Sequence, residues 1–215
     1  MRIRSASELS GFLDQEFAWR KKELITLNFM IARARPHERV ILLRLAVCIL
    51  YAHWEGFIKA ASISYVSFVA SRGLQYRDLS TNFIALGLRS DIMRAGESIN
   101  PMTHTRLVEQ LTSGLAERAV IDDENAVSTR FNLNAKTLSE ILATLGFDET
   151  NYLTRGPLLD QKLLSRRNLV AHGARVEIEQ EDYAVLHGEI IQLVEQFRTD
   201  VENAAATDRY RGNHD

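Results

Sequence analysis

The stretch Ser165-Arg166-Arg167-Asn168-Leu169-Val170-Ala171-His172-Gly173 holds the residues with the most evident chemistry. From Arg167 to His172 it places a guanidinium, an amide and an imidazole within about one and a half helical turns, followed by a glycine that stops a helix. An imidazole that titrates near neutrality serves as acid or base, and a guanidinium stays cationic and grips phosphate bidentately. At 100° per residue, Arg167 and His172 lie about 140° apart on a regular helix, so spacing alone does not put them on one face. Asn168 and His172, one turn apart, do share a face. The reach of arginine and unwinding at Gly173 can reconcile the two directions. Taken alone, the pattern also fits a solvated basic face at Arg166 and Arg167, with His172 as a helix-end cap.

Composition limits what can surround these residues. A chain of 215 residues with 46% hydrophobic content can bury one large core, and 11 glycines with 3 prolines fit a mostly helical protein. Twenty-six basic and 28 acidic residues give a formal charge of −2, so attraction to nucleic acid must come from a local basic patch. The lone Cys48 excludes an intramolecular disulfide and zinc clusters built on several cysteines. It sits in an apolar run and is expected in the core. The start, Met1-Arg2-Ile3-Arg4, lacks the apolar stretch of a signal peptide. The most apolar region, Val40 to Phe57, is broken by Arg44, His53 and Glu55, so it is expected as a buried helix. A cytoplasmic protein with no membrane partner is the expectation.

Periodicity and punctuation supply the elements. A helix is expected from about Ser7 to Ala34, with Ser5 and Glu8 as a capping box and Leu9, Phe12, Leu13, Phe17, Leu24, Leu27 and Ile31 at helical spacing. A second, central helix is expected over Pro36–Ser71. Its stripe of Val40, Leu43, Val47, Leu50, Trp54, Phe57, Ala61 and Tyr65 is thickened by Ile41, Leu45, Ile49 and Ile58 until little of it reads as solvent-facing. Gly73 is its stop. A short helix capped by Ser80 or Thr81, another from Pro101 to about Arg118, and one from Asn134 to near Gly146 follow. Val127, Phe131 and Leu133 alternate with polar residues, as in an extended segment or short strand. The helix carrying the motif is expected from Pro157 to about Ala171, and a last one from about Glu181 to Ala205. The chain thus reads as one all-α domain over 1–205 with a polar tail, disordered from about 206 to 215.

Two stretches carry a resemblance. Arg167-Asn168-x-x-Ala171-His172-Gly173 resembles the Arg-x4-6-His motif of the HEPN superfamily, whose active members are mostly metal-independent ribonucleases. Leu50-Tyr51-Ala52-His53-Trp54-Glu55-Gly56-Phe57-Ile58-Lys59 resembles the second-helix signature of its bacterial MAE-like or RiboL-PSP-like branch. Phe131 to Gly146 has the look of the same branch, and the likeness spans about residues 8 to 200. It implies a helical bundle with long central antiparallel helices and a few short extra ones, and a homodimer whose motif helices line a shared cleft. RNA would be cleaved there by 2′-hydroxyl attack, leaving a cyclic phosphate. Matched to the motif, Arg167 and His172 are the catalytic pair, Asn168 the polar neighbour that orients them and Arg166 an extra phosphate contact. Glu55 is either structural or a support for the motif, His53 and Trp54 are core, and His37, His104, His187 and His214 are surface residues. Without clustered carboxylates or cysteines the site has no evident ligand set for a catalytic ion, so no metal or cofactor is expected.

The resemblance implies a toxin or phage-defence effector, with an antitoxin or defence-system protein as partner. One departure bears on this: members silenced by a nucleotidyltransferase antitoxin typically carry a tyrosine two residues after the motif histidine, where this chain has Ala174. Inactivation by adenylylation of such a tyrosine is therefore not expected. A non-catalytic HEPN module that binds nucleotides or dimerises is the alternative, because Arg166, Arg167 and His172 would also hold a phosphate without cutting it.

Overall fold

A computed structural model describes residues 3–123, 125–129 and 132–212. Helices account for the regular structure. Among the described residues there is no strand, only two isolated antiparallel bridges, Gln75–Arg118 and Leu79–Arg211. Of the two readings of the stretch around Val127 and Leu133, an extended segment or a short strand, the strand does not form among the described residues. Both residues are buried by an irregular segment instead, and Phe131 lies outside the described residues.

Helix α1 (Ala6–Arg33) and helix α2 (Pro36–Ser71) form a long antiparallel pair, with α9 (Gln180–Ala206) against both. The start of α1 is capped by Ser5 as expected, the Glu8 N–H donating to Ser5 Oγ at 3.1 Å, but the Glu8 carboxylate takes the Arg4 N–H at 2.7 Å and not that of Ser5. Pro36 opens α2, and Gly73, at φ +64°, turns the chain away beyond it. Along α1, Leu9, Leu13, Phe17, Leu24, Leu27 and Ile31 are buried, and along α2 Trp54, Phe57, Ile58, Ala61 and Tyr65 are fully enclosed. By length and composition α2 could cross a membrane, yet half of its most apolar window is buried inside the protein. The second half of α2 is the centre of the core. Its first half is buried on one face only: Leu43, Ala46, Val47 and Leu50 are core, while Val40, Ile41 and Leu45 are about half exposed. Apolar composition alone does not distinguish a buried helix face from an uncovered one.

The remaining elements close around this frame. Short helices α3 (Thr81–Gly87), α4 (Arg89–Glu97) and α5 (Pro101–Thr112) form an excursion between α2 and α6 (Ala135–Leu145). Helix α5 ends at Thr112, well before Arg118, because Ser113-Gly114 turns the chain into a 3-10 turn over Gly114–Ala116. Asn134 caps α6 by accepting the Thr137 N–H at 2.8 Å, and Gly146 (φ +73°) ends it. One turn of helix, α7 (Thr150–Leu153), follows. A run of aromatic contacts, Phe83–Tyr65–Phe147–Phe197–Tyr152, has centroid separations of 5.6 to 6.4 Å and ties α2, α3, α7 and α9 together.

The second-helix signature is explained by packing. Trp54 and Phe57 are core, His53 is buried beside the Trp19 ring and meets Glu23 at 3.1 Å, and Gly56 admits the Arg20 guanidinium. A Cβ at Gly56 would stand 3.2 Å from Arg20 Nη2. The tail differs from expectation as far as it is described. Tyr210 is buried against Phe68, the Ser80 N–H donates to the Tyr210 carbonyl at 2.8 Å, and the Gly212 N–H reaches Asp78. An aromatic anchor among polar neighbours is enough to hold this segment down. His214 lies outside the described residues.

Candidate active site

The motif helix is two pieces. Residues Leu158–Leu164 form a π-helical turn, with the Ser165 N–H bonded to the Asp160 carbonyl five residues back, and α8 (Ser165–Ala171) continues from it. Leu159 and Leu163 bury their side chains, and Arg167 follows them at the same spacing of four. The stripe that anchors the leucines therefore carries the Arg167 guanidinium toward α2. His172, five residues further, faces outward and is exposed.

Two of the groups that hold Arg167 are neutral. Its guanidinium carbon lies 4.0 Å from the Tyr51 ring centroid, and Nη2 donates to Asn132 Oδ1 at 2.8 Å. The Tyr51 hydroxyl accepts the Leu133 N–H at 2.7 Å. Burial raises the Tyr51 phenol above its ordinary range, and the Leu133 N–H and Arg167 oppose that rise. Cys48, one turn before Tyr51, is half-buried and not in the closed core. Burial raises its thiol, while Arg167 and Arg44 pull the other way.

The end of α8 is a Schellman arrangement. Gly173 adopts φ +76°, its N–H donates to the Val170 carbonyl at 3.0 Å, and the Ala174 N–H donates to the Leu169 carbonyl at 2.9 Å. Arg44 of α2 donates to the Ala174 carbonyl at 2.9 Å, which ties this cap to the central helix. His172 is the C-cap residue, and among the described residues its imidazole makes no hydrogen bond or ion pair.

The other sequence candidates divide. Arg166 is engaged by Asp182 of α9 at 2.7 Å, so its charge is partly matched. Asn168 is half-buried next to Arg167, and among the described residues its side-chain amide makes no hydrogen bond. Glu55 sits half-buried one turn beyond Tyr51, close enough to act on the phenol electrostatically. Among the other histidines, His37 and His104 are exposed. His187 is instead half-buried by Tyr183 and Asn28, and burial lowers its pKa. Among the described residues no group of three or more His, Cys, Asp or Glu side chains could hold a metal ion.

Sequence reasoning missed Tyr51, Asn132 and Arg44 as members of this site. Tyr51 stood inside the second-helix signature, and Arg44 stood out as a charge in an apolar run. Asn132 carried no signal of its own. As assembled, the site offers a fixed cation and an exposed imidazole on one short helix, which suits phosphodiester binding and proton transfer.

No curated protein and no solved structure matches the chain. The family model described as RiboL-PSP-HEPN matches residues 15–203, from the middle of α1 to near the end of α9, and so takes in both resemblance stretches and the whole site. This chain belongs to the RiboL-PSP-HEPN family.

Proposed function

We propose that the protein is a metal-independent endoribonuclease of the HEPN type, with Arg167 and His172 as its catalytic residues. Cleavage by 2′-hydroxyl attack needs a base for that hydroxyl, an acid for the leaving 5′-oxygen and a cation for the phosphorane. His172 supplies an exposed acid–base group, and Arg167 supplies a cation held against Tyr51 and Asn132. The observation that carries this reading is a guanidinium held in place against Tyr51 and Asn132 on the same short helix that ends in the solvent-facing His172 imidazole.

The two groups point in different directions within one chain, which favours a composite site made by two copies. A two-fold dimer doubles imidazole and guanidinium about its axis, so acid and base stand on opposite sides of one phosphate. Leu169, at 44% exposed and three residues before His172, supports such pairing, as do Ile41 and Leu45 on α2 at 58% and 49%. The reading extends to a cytoplasmic toxin or phage-defence effector restrained by a partner protein. A non-catalytic nucleotide-binding module is the outcome that inactivity would favour.

The test compares wild type with Arg167→Ala and His172→Ala on total RNA in EDTA. Each substitution is expected to lower cleavage by orders of magnitude with helical circular dichroism intact, and expression of the wild type is expected to slow growth while His172→Ala relieves it. Full activity in either variant removes the catalytic assignment, and loss of wild-type cutting in EDTA redirects it toward a metal nuclease.

A further inference from the structure

Along α2, Arg44, Cys48, Tyr51 and Glu55 recur at steps of four, three and four, which is one helical stripe. Two of its members touch the motif segment: Arg44 takes the Ala174 carbonyl, and Tyr51 lies under Arg167. Tyr51 joins three parts of the molecule. Its ring belongs to the central helix, its face carries the guanidinium, and its hydroxyl anchors Leu133, next to the Asn132 amide that accepts from the same guanidinium. The ring face fixes where the guanidinium sits, and the amide oxygen holds one of its N–H groups.

The chemistry of these two partners matters. A free arginine has many rotamers, so a cation meant for a phosphorane must be ordered beforehand or lose that entropy during the reaction. A carboxylate orders it but offsets part of its charge, as Asp182 does for Arg166. An aromatic face and a neutral amide order it while adding no negative charge.

We propose that Tyr51 and Asn132 are positioning residues that pre-orient the Arg167 guanidinium for phosphate in the transition state. Their effect belongs in kcat rather than in RNA affinity, because an already ordered cation matters most where charge builds up on the phosphorane. The proposal rests on the ribonuclease reading of Arg167.

The experiment uses the full-length protein and two readouts on Tyr51→Leu, Tyr51→Phe and Asn132→Ala, with Arg167→Ala as reference. The first readout is the NMR shift of the Arg167 δ and ε protons, which does not depend on activity. Ring current should move them upfield in wild type and Tyr51→Phe, and Tyr51→Leu should return them to ordinary values. The second is steady-state cleavage of a defined RNA. Tyr51→Leu and Asn132→Ala are expected to lose about tenfold in kcat with little change in KM, and Tyr51→Phe, which keeps the ring face, to recover most of the rate. Asn132 is exposed, so its variant reports even if Tyr51→Leu fails to fold. Wild-type kcat in Tyr51→Leu or Asn132→Ala, or a Tyr51→Phe as impaired as Tyr51→Leu, overturns the proposal. A wild type that cuts no RNA overturns the ribonuclease reading, and the proton shifts then decide by themselves whether Tyr51 holds the guanidinium.

Discussion

Gly173 is where backbone conformation and the candidate chemistry meet, so Gly173→Ala is an informative perturbation. A Cβ built at Gly173 meets nothing within 4 Å, and steric collision therefore contributes nothing. What remains is φ +76°, which costs an L-residue about 1–2 kcal/mol. The segment can absorb that strain, or it can release it by giving up the hydrogen bonds of Gly173 to Val170 and of Ala174 to Leu169. Absorbed strain of about 1 kcal/mol corresponds to a melting temperature about 2–4 °C lower for a chain of this size. Released strain moves His172, the adjacent C-cap residue, and a shift of about 1 Å at a catalytic group can cost about a hundredfold in rate. Arg44 opposes full release by holding the Ala174 carbonyl, so the strain divides between the two routes, and we expect the melting shift together with a fall in cutting that is larger than the stability loss explains. Asparagine tolerates the left-handed region better, so Gly173→Asn should lose less on both measures. Thermal melts by circular dichroism and initial rates on one RNA provide the comparison. An alanine variant that melts and cuts like wild type refutes the argument, as does an asparagine variant that is equally damaged.

Other expectations are simpler. Asn134→Ala removes the acceptor of the Thr137 N–H and should cost about 1 kcal/mol, read as a lower urea midpoint with unchanged slope. Burial keeps the pKa of His187 below its unfolded value, so below about pH 6.5 the unfolded chain takes up a proton that the folded one resists. Stability from this group is full above that pH and falls as pH drops toward 5, and melts of His187→Gln against pH should show a shallower acid decline than wild type. Light scattering should give about twice the chain mass, and heterodimers of wild type with His172→Ala should retain well below half the activity if the site is composite. Retention of half would mean that each protomer cuts alone.

Much of the fold was legible because punctuation and periodicity agreed. Pro36 and Gly73 bracket α2, Asn134 and Gly146 bracket α6, and the leucine spacing of α1 matches its buried face. Helix α4 was missed because Arg89–Glu97 is polar and its N-cap position, Leu88, offers no capping side chain. The π turn before α8 was also invisible, since one wider turn leaves the leucine pattern unchanged. At the candidate site, the order Arg-Asn-x-x-x-His identified residue types and neighbours, but one partner of Arg167 stands 116 positions away at Tyr51. Such a pairing arises only when α2 and α8 pack together, and no local pattern encodes it.

The central claim is that Arg167 and His172 cut RNA without a metal, and the chemistry of the cut ends tests it most directly. Wild-type protein and His172→Ala would be incubated with a defined RNA in EDTA and the product termini mapped. Products ending in 2′,3′-cyclic phosphate and 5′-hydroxyl, formed by wild type and absent with His172→Ala, are what the account predicts. Ends bearing 5′-phosphate and 3′-hydroxyl, or the same products from His172→Ala, would contradict it.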